Sequence, residues 1–270
     1  MTTLVLIPAY NEAATLAMVA GGALAHADRV VVIDDGSTDG TADVVLQLPV
    51  LLIAHMRNEG KSASLIDGFA WAIDSGATQV LTMDADGQHA AADIPRLLRA
   101  AETHPRAIVI GARTREAAAA PRARRIANRL ADFGVSWAAG HRVLDSQSGQ
   151  RVYPVALLRA LDLRKLSRGG FTVESELVIE AARLGYATVS VPIDAVYDPV
   201  ARKSHFRPVR DISAIFFLLA RKLARNAFNL PGLWTSLRER ATTFDDRAAA
   251  AVAVRAVEPA VLRGSVRAER

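Results

Sequence analysis

Short apolar runs rich in β-branched residues alternate with helical stretches over residues 3–113 of the chain. The runs read TLVLIPA, RVVVID, PVLLIA, QVLTMD and AIVIGA, and a segment with helical spacing separates each run from the next. Strands and helices that alternate with connections of a few residues favour a mostly parallel sheet covered by helices. The pattern therefore predicts an α/β fold, in which Asn11 is the predicted N-cap of the first helix.

Polar residues follow the end of each apolar run. They form five clusters, at residues 8–12, 34–41, 58–61, 84–89 and 111–113. In a parallel sheet the carboxyl ends of the strands share one edge, and ligands bind just beyond that edge. The five clusters are therefore predicted to build a single site.

The fourth cluster, in MDADGQH, contains two carboxylates one residue apart, Asp84 and Asp86. Carboxylates this close repel, and without a partner one of them takes up a proton. A Mg²⁺ or Mn²⁺ ion removes the conflict, because such hard cations prefer oxygen ligands together with substrate phosphates. Gln88 and His89 are candidates for further ligands or for hydrogen bonds to the ligands. The alternative is an ordinary Asp-rich turn that caps a helix at Asp93.

Five motifs occur in a fixed order: PAYNE (8–12), VIDDGSTDGT (32–41), NEGKSASLIDGF (58–69), MDADGQH (83–89) and GAR (111–113). Together they resemble the family 2 glycosyltransferases, which have a GT-A fold. The DADGQH form is similar in particular to the dolichyl- and polyprenyl-phosphate sugar transferases of that family. The stretches DSQSGQRVYP, GFTVESEL and VPI to RDI extend the resemblance to residue 215. It implies an inverting hexosyltransferase that moves a sugar from a GDP- or UDP-sugar to a lipid phosphate.

The resemblance also implies three overlapping groups of site residues. The metal ligands for Mg²⁺ or Mn²⁺ are Asp84, Asp86 and Gln88. The catalytic residues are Asp86, Asp145, Glu174 and Arg113. The nucleotide-sugar-binding residues are Pro8, Ala9, Tyr10, Glu12, Asp34, Asp35, Lys61, Asp84, Arg125, Lys203 and His205.

Several of these residues have a purely structural alternative. Asp34 and Asp35 also suit a turn in which Ser37 and Asp39 cap the next helix. Lys61 also fits a solvated lysine at a helix start. Arg125 and His205 lie in basic stretches, PRARR and RKSHFRPVR, and also fit side chains without a special task.

The acceptor is indicated by one departure from the family pattern. Family members with hydroxyl acceptors have a Glu-Asp pair at the start of the helix matching VESELVIEAARLGY, and the Asp is the general base. Here the pair is Glu174-Ser175, and a serine is no base near pH 7. A phosphate acceptor is already anionic and needs no base, so the departure agrees with a lipid phosphate. Glu174 and Glu176 remain candidate bases, and Asp145 either faces the acceptor or serves a turn. A hydroxyl acceptor, as in glycolipid, lipid-pigment or polysaccharide synthesis, is the alternative.

Charge and composition limit the partners and the location that can be expected. Lys and Arg number 33 against 28 Asp and Glu, which favours anionic partners. The chain has neither a zinc motif nor an aromatic-rich RNA-binding strand, so nucleic acid is not expected. It has no cysteine, which excludes disulfides and thiolate metal sites. Because the start also lacks the basic region of a leader, the expected location is the cytoplasm, with peripheral contact to the inner membrane.

A single GT-A domain is predicted for residues 1–238. Residues 1–115 form its nucleotide-sugar half, residues 116–210 its acceptor half, and residues 211–238 an amphipathic helix. Three surfaces suit this helix: a membrane, its own domain, or a second subunit in a homodimer. Residues 239–270 are predicted to be a flexible tail.

Two other classes of protein compete with the glycosyltransferase prediction. A sugar-nucleotide pyrophosphorylase would need a Gly-rich phosphate loop after the first strand, and PAYNEAA has no glycine there. A non-catalytic nucleotide-binding protein would have no need of the intact Asp84, Asp86 and Gln88.

Overall fold

The sheet has the predicted character. The computed structural model describes residues 2–113, 122–194 and 208–245, and seven strands within them form one sheet in the order β3-β2-β1-β4-β6-β5-β7. All neighbouring pairs are parallel except those made by β6, which is antiparallel to β4 and β5. The strands are β1 Thr3–Ala9, β2 Arg29–Asp34, β3 Leu51–Ala54, β4 Gln79–Thr82, β5 Ala107–Ala112, β6 Arg151–Pro154 and β7 Ala187–Pro192.

Helices cover both faces of the sheet. On β1, Leu4 and Leu6 belong to one buried cluster, whereas Val5 and Ile7 belong to the cluster on the opposite face. Burial on both faces explains why the strands are continuous apolar runs. The helices are α1 Leu16–Leu24, α2 Thr41–Leu46, α3 Lys61–Asp74, α4 Ile94–Thr103, α5 Arg122–Ala139, α6 Val155–Ala160, α7 Val173–Arg183, α8 Pro208–Arg225 and α9 Leu230–Arg238.

The antiparallel strand β6 delivers a further segment to the site edge. Arg151, its first residue, pairs with Thr82 in β4 and with Ile110 in β5. Because β6 runs the opposite way, its start lies at the edge where β4 and β5 end. The polar turn before it, residues 145–150, is therefore placed beside the strand-end clusters.

The predicted N-cap at Asn11 is wrong. Asn11 has a left-handed backbone with φ of 56°, and α1 begins only at Leu16. Its backbone N–H donates to Ser37 Oγ (2.8 Å), and its side-chain oxygen accepts from the Thr38 N–H (2.7 Å). Asn11 therefore joins the loops after β1 and β2, because the neighbouring strand ends offer it partners that a local helix start does not.

The C-terminal part differs from a single helix over residues 211–238. Residues 227–229 have positive φ angles and separate α8 from α9, and the Asn229 side chain accepts from the Gly232 N–H to cap α9. The packed chain also continues past residue 238. The Phe244 N–H donates to the Ser190 carbonyl of β7 (2.9 Å), and the Phe244 side chain is buried in the core. No helix within the described residues is long and apolar enough to cross a membrane.

A buried ion pair fixes α8 to α7 and makes stability depend on pH. Glu176 Oε1 lies 2.7 Å from Lys222 Nζ, and Glu176 Oε2 accepts from the Ser167 N–H (2.8 Å). Burial alone would raise the pKa of Glu176, but these partners lower it below its ordinary value of 4.5. A carboxyl group with a lowered pKa stabilises the fold at pH values above the pKa that the group has in the unfolded chain. That stabilisation is lost as the pH falls through the pKa of the folded state.

Replacing this carboxylate should remove part of the acid sensitivity. In urea unfolding, we expect Glu176→Gln to cost about 1.5 to 3 kcal/mol at pH 7, the usual worth of hydrogen bonds to a charged group. The difference from the wild type should shrink as pH falls well below 4.5. Glu102→Gln, at an exposed position of α4, is the control, with the wild-type pH profile expected. A gap for Glu176→Gln that stays constant with pH would contradict this account.

Candidate active site

The ends of β1 and β2 form one wall of the site. Pro8 and Ala9 are in register with Ile33 and Asp34, and partly buried Tyr10 follows directly. Asp34 is buried, and its Oδ1 accepts from the Ser37 N–H (3.1 Å). The structure therefore brings the first two predicted clusters together.

The loops beyond these strands are tied to each other. The Glu12 N–H donates to Thr41 Oγ1 (2.9 Å) at the start of α2, and the Ala13 N–H donates to Asp39 Oδ2 (3.3 Å). Asp39 Oδ1 also accepts from the Thr41 N–H (3.0 Å), so Asp39 serves the helix start as the structural alternative predicted. Glu12 is fixed at the same wall as Tyr10.

Asp35 fixes the turn that precedes Lys61. Its two oxygens accept from the Glu59 N–H (2.9 Å) and the Gly60 N–H (2.8 Å), and His55 Nδ1 lies 2.8 Å from Oδ1. Gly60 has φ of 97°, a conformation in which a side chain would be strained. Asp35 thus has a structural function at a different turn from the one that the structural alternative predicted, and its predicted contact with the nucleotide sugar stays a prediction.

Lys61 is an internal ion-pair partner. Its Nζ lies 2.6 Å from Asp84 Oδ1 and 3.1 Å from Glu174 Oε1, and its side chain is only 15% exposed. Burial alone would lower the pKa of Lys61, but the charges of the two carboxylates raise it. The predicted alternative of a solvated lysine is therefore wrong. Lys61 joins the start of α3 to the end of β4 and the start of α7.

The two carboxylates of the Asp84 and Asp86 pair have opposite electrostatic surroundings. Burial alone would raise the pKa of Asp84, but Lys61 lowers it. Burial and the charge of Asp84 both raise the pKa of Asp86. Asp86 Oδ1 accepts from the Gln88 N–H (3.0 Å), which leaves the repulsion between the carboxylates in place. An additional cation would relieve that repulsion, and Asp84 remains 26% exposed to receive it.

The donor set fits a hard divalent cation. Asp84, Asp86 and Gln88 supply oxygens, which Mg²⁺ and Mn²⁺ prefer. Buried His89 lies behind them: its Nε2 is 3.8 Å from Asp84 Oδ2, and its Nδ1 makes no hydrogen bond to the described residues. Burial lowers the pKa of His89 to about 4, so its imidazole is neutral at pH 7. Within the described parts of the chain, no three His, Asp or Glu side chains converge closely enough to hold a metal ion.

Arg113 and Asp145 form a bidentate pair. Arg113 Nε donates to Asp145 Oδ2 (2.8 Å), and Arg113 Nη2 donates to Asp145 Oδ1 (2.8 Å). The Arg113 backbone N–H also donates to Asp145 Oδ2 (2.9 Å). Burial alone would raise the pKa of Asp145, but Arg113 lowers it. The pair connects the end of β5 to the turn before β6, and Asp145 there holds Arg113 in a fixed orientation.

Sequence reasoning missed Arg151, which holds together the backbone segments on one side of the site. Its guanidinium is fully buried and donates to the carbonyls of Ser146 (2.6 Å), Ser148 (2.7 Å) and Glu174 (2.9 Å). It thus joins the turn before β6 to the first turn of α7. The only sequence signal was a charged residue inside the short apolar run RVYP.

Gly149 was also missed, although it lies against Asp84. A methyl group on Gly149 would overlap the Asp84 carboxylate. The Gly149 carbonyl accepts from Thr82 Oγ1 (2.8 Å), so the backbone is held in place and cannot easily withdraw. The close approach requires glycine at this position.

We therefore expect Gly149→Ala to displace Asp84 and to reduce Mn²⁺ affinity, measured by calorimetry, by about 10- to 100-fold, as for other changes beside metal ligands. Gly21→Ala in α1 is the matched control, because a methyl group there meets no atom within 4 Å. Unchanged Mn²⁺ affinity in Gly149→Ala would show that the position of Asp84 does not matter for the metal.

Three carboxylates predicted near the acceptor each have a cationic partner. Glu174 pairs with Lys61, Asp145 pairs with Arg113, and Glu176 pairs with Lys222 on the side of α7 that faces α8. The hypothesis that Glu174 or Glu176 substitutes for the missing base stays a hypothesis, and both carboxylates are held by lysines. Ser175, at the base position, is buried, and its Oγ accepts from Gln147 Nε2 (3.3 Å).

Three of the predicted residues remain: Arg125, Lys203 and His205. Arg125 lies in the first turn of α5, and among the described residues it forms no ion pair with the carboxylates of the cluster. Lys203 and His205 lie outside the described residues. Their predicted contacts with the nucleotide sugar stay predictions.

Comparison with known proteins gives the family. The model of glycosyl transferase family 2 matches residues 4–156. The chain is 32% identical over 212 residues to an undecaprenyl-phosphate mannosyltransferase of Micrococcus luteus, covering 73% of this chain and 84% of that protein. It is 29% identical over 213 residues to the UDP-N-acetylglucosamine–dolichyl-phosphate N-acetylglucosaminyltransferase of Methanococcus voltae, covering 71% and 84%.

Solved structures share the fold. Glucosyl-3-phosphoglycerate synthase of Mycobacterium tuberculosis, solved with Mn²⁺, UDP-glucose and phosphoglyceric acid, has a TM-score of 0.62 at 22% identity over 84% of this chain and 80% of its own. Mannosyl-3-phosphoglycerate synthase of Rubrobacter xylanophilus has a TM-score of 0.67 at 19% identity, covering 84% and 75%. The fold is of the GT-A type, as predicted. Since the family model spans more than half of the sequence, this chain belongs to glycosyl transferase family 2 and is a glycosyltransferase.

Proposed function

We propose that the enzyme transfers a sugar, with inversion, from a GDP- or UDP-sugar to a lipid phosphate of the polyprenyl or dolichyl type. The names of the relatives in Micrococcus luteus and Methanococcus voltae support this acceptor class. The observation that carries the proposal is the pairing of Glu174, Asp145 and Glu176 with cations. A carboxylate held as an anion by a cation is a weak base, so the acceptor should arrive already ionised.

The site residues have the following proposed roles. Asp84, Asp86 and Gln88 hold a Mg²⁺ or Mn²⁺ ion, which when bound supplies positive charge beside the donor diphosphate. The wall of Pro8, Ala9, Tyr10, Glu12 and Asp34 receives the nucleoside. Asp35 supports this wall through the turn it fixes, and Lys61 orients Asp84 and Glu174.

In the proposed reaction, an oxygen of the lipid phosphate attacks the anomeric carbon opposite the diphosphate. The bond between that carbon and the diphosphate oxygen breaks, and the nucleoside diphosphate leaves with the electron pair. No proton has to be removed, because the attacking phosphate is already deprotonated. Arg113, oriented by Asp145, supplies a guanidinium for phosphate oxygens, and Arg125, Lys203 and His205 are proposed to add positive charge.

The proposed location follows from the acceptor. A lipid phosphate is anchored in a bilayer, so the enzyme should act at the cytoplasmic face of the inner membrane as a peripheral protein. The absence of cysteine is compatible with a reducing compartment. A homodimer stays a prediction.

The test compares acceptors with a panel of GDP- and UDP-sugars in the presence of Mn²⁺. We expect nucleoside diphosphate release with undecaprenyl phosphate and none above background with undecaprenol or a glycolipid. Release with the hydroxyl acceptors and not with the phosphate would replace the proposal by the hydroxyl-acceptor alternative. Nucleotide-sugar binding without release for any acceptor would favour a non-catalytic protein.

A further inference from the structure

Two helices outside the catalytic cluster expose apolar stripes. On α5, Ile126, Leu130 and Phe133 are exposed at positions i, i+4 and i+7, which share one helix face. On α9, Leu230, Trp234 and Leu237 repeat the same spacing and are each more than half exposed. An apolar stripe of this kind normally faces the core of a globular protein. Here such a stripe faces outward on two helices, so we expect another surface to cover it.

Direct contacts join the two helices into one structural unit. The Trp137 indole N–H of α5 donates to the Phe228 carbonyl (2.7 Å) just before α9, and the Asn229 side chain donates to the Trp137 carbonyl (3.1 Å). The Phe133 and Trp137 rings are 6.1 Å apart. On the neighbouring helix α8, Phe217 is 71% exposed. We call the exposed apolar side chains of these three helices the apolar face: Ile126, Leu130, Phe133, Phe217, Leu230, Trp234 and Leu237.

The charges beside the apolar face are mainly positive. Arg129, Arg225, Arg238 and Arg240 are exposed on or next to the same helices. The Arg238 guanidinium lies 3.8 Å from the centre of the Trp234 ring, so an aromatic anchor and a cation are presented together. Exposed aromatic residues with arginine at their border are typical of segments that lie in the headgroup region of anionic membranes.

We propose that the apolar face docks on the surface of an anionic lipid bilayer, which rests on the proposed function because the acceptor is then embedded in the same bilayer. A second copy of the chain fits less well, since a two-fold contact would bring each arginine border near its own copy. A hydrogen bond also connects the apolar face to the candidate active site. Asp132 on α5 accepts from the Ser146 N–H (2.7 Å) in the turn beside Asp145, so docking of α5 fixes the acceptor side of the site relative to the membrane.

The test is sedimentation of the full chain with vesicles of phosphatidylcholine that contain about 30% phosphatidylglycerol, an anionic surface potential like that of a cell membrane. The wild type should bind these vesicles, should bind pure phosphatidylcholine more weakly, and should be partly released at high salt. The double variant Phe217→Ser/Trp234→Ser should bind at least about tenfold more weakly, because two anchors no longer enter the bilayer.

The matched control is Leu46→Ser/Met56→Ser, which removes two exposed apolar side chains from α2 and from the loop after β3. It should bind vesicles like the wild type. A wild type that does not bind anionic vesicles, or equal losses in both double variants, would overturn the proposal. So would light scattering that shows a wild-type dimer converted to monomers by Phe217→Ser/Trp234→Ser while vesicle binding is unchanged.

Activity on a short, water-soluble prenyl phosphate separates this inference from the proposed function. Phe217→Ser/Trp234→Ser should keep wild-type turnover of that acceptor in solution and lose turnover of undecaprenyl phosphate in vesicles. If the wild type binds vesicles but turns over neither phosphate, the proposed function fails and the docking surface stands. Loss of turnover of the soluble acceptor in the double variant would contradict a role limited to docking.

Discussion

Asp86→Ala is expected to lower the rate of nucleoside diphosphate release by about 10²- to 10³-fold at saturating donor, the usual effect of removing one electrostatic contact to a developing charge. Asp86 is one of two carboxylates proposed to hold the cation, and Asp84 alone is already balanced by Lys61 at 2.6 Å. The loss should be accompanied by weaker Mn²⁺ binding in calorimetry.

The stability of the same variant gives an independent check. Burial and the charge of Asp84 raise the pKa of Asp86, which means that the ionised carboxylate is unfavourable in the metal-free fold. Metal-free Asp86→Ala should therefore unfold at the same temperature as the wild type or at a higher one. Asp162→Ala, which removes an exposed partner of Arg164, is the control and should keep full activity. Normal turnover by Asp86→Ala would eliminate the proposed metal role.

Arg151→Met is expected to reduce the free energy of unfolding by about 3 to 5 kcal/mol, the range for breaking a buried charged network. The methionine fills much of the same volume but removes the guanidinium donors to the carbonyls of Ser146, Ser148 and Glu174, of which Ser146 keeps a second donor in Gln147 Nε2. Buried carbonyls that lose a partner carry the full desolvation cost. Urea unfolding measures the change.

Two further variants make this prediction decisive. Arg164→Met changes an exposed arginine and should lower the unfolding free energy by less than about 0.5 kcal/mol, as is usual for surface sites. Arg151→Lys keeps the charge but not the planar set of donors, so it should be intermediate even if Arg151→Met fails to fold. A loss below about 1 kcal/mol in Arg151→Met would mean that water replaces the guanidinium at little cost.

The sequence by itself determined the class of fold and the edge of the sheet at which the site lies. Alternation of apolar strands and helices is a local pattern, set within about ten residues, and it does not depend on how the chain closes. The placement of Asp84 and Asp86 directly after β4 follows from the same pattern. The ordered motifs carried the family, which the match over residues 4–156 confirms.

The tertiary structure alone decided which charges meet. Lys61 and Glu174 are 113 positions apart, and Arg113 and Asp145 are 32 apart. The antiparallel turn into β6 placed Gly149 beside Asp84 and Arg151 beside the Glu174 carbonyl. The loop after β2 took Asn11 away from a helix cap. Ion-pair partners depend on the order and direction of strands, because a charge is stabilised by whatever neighbour the topology supplies and not by its own sequence spacing.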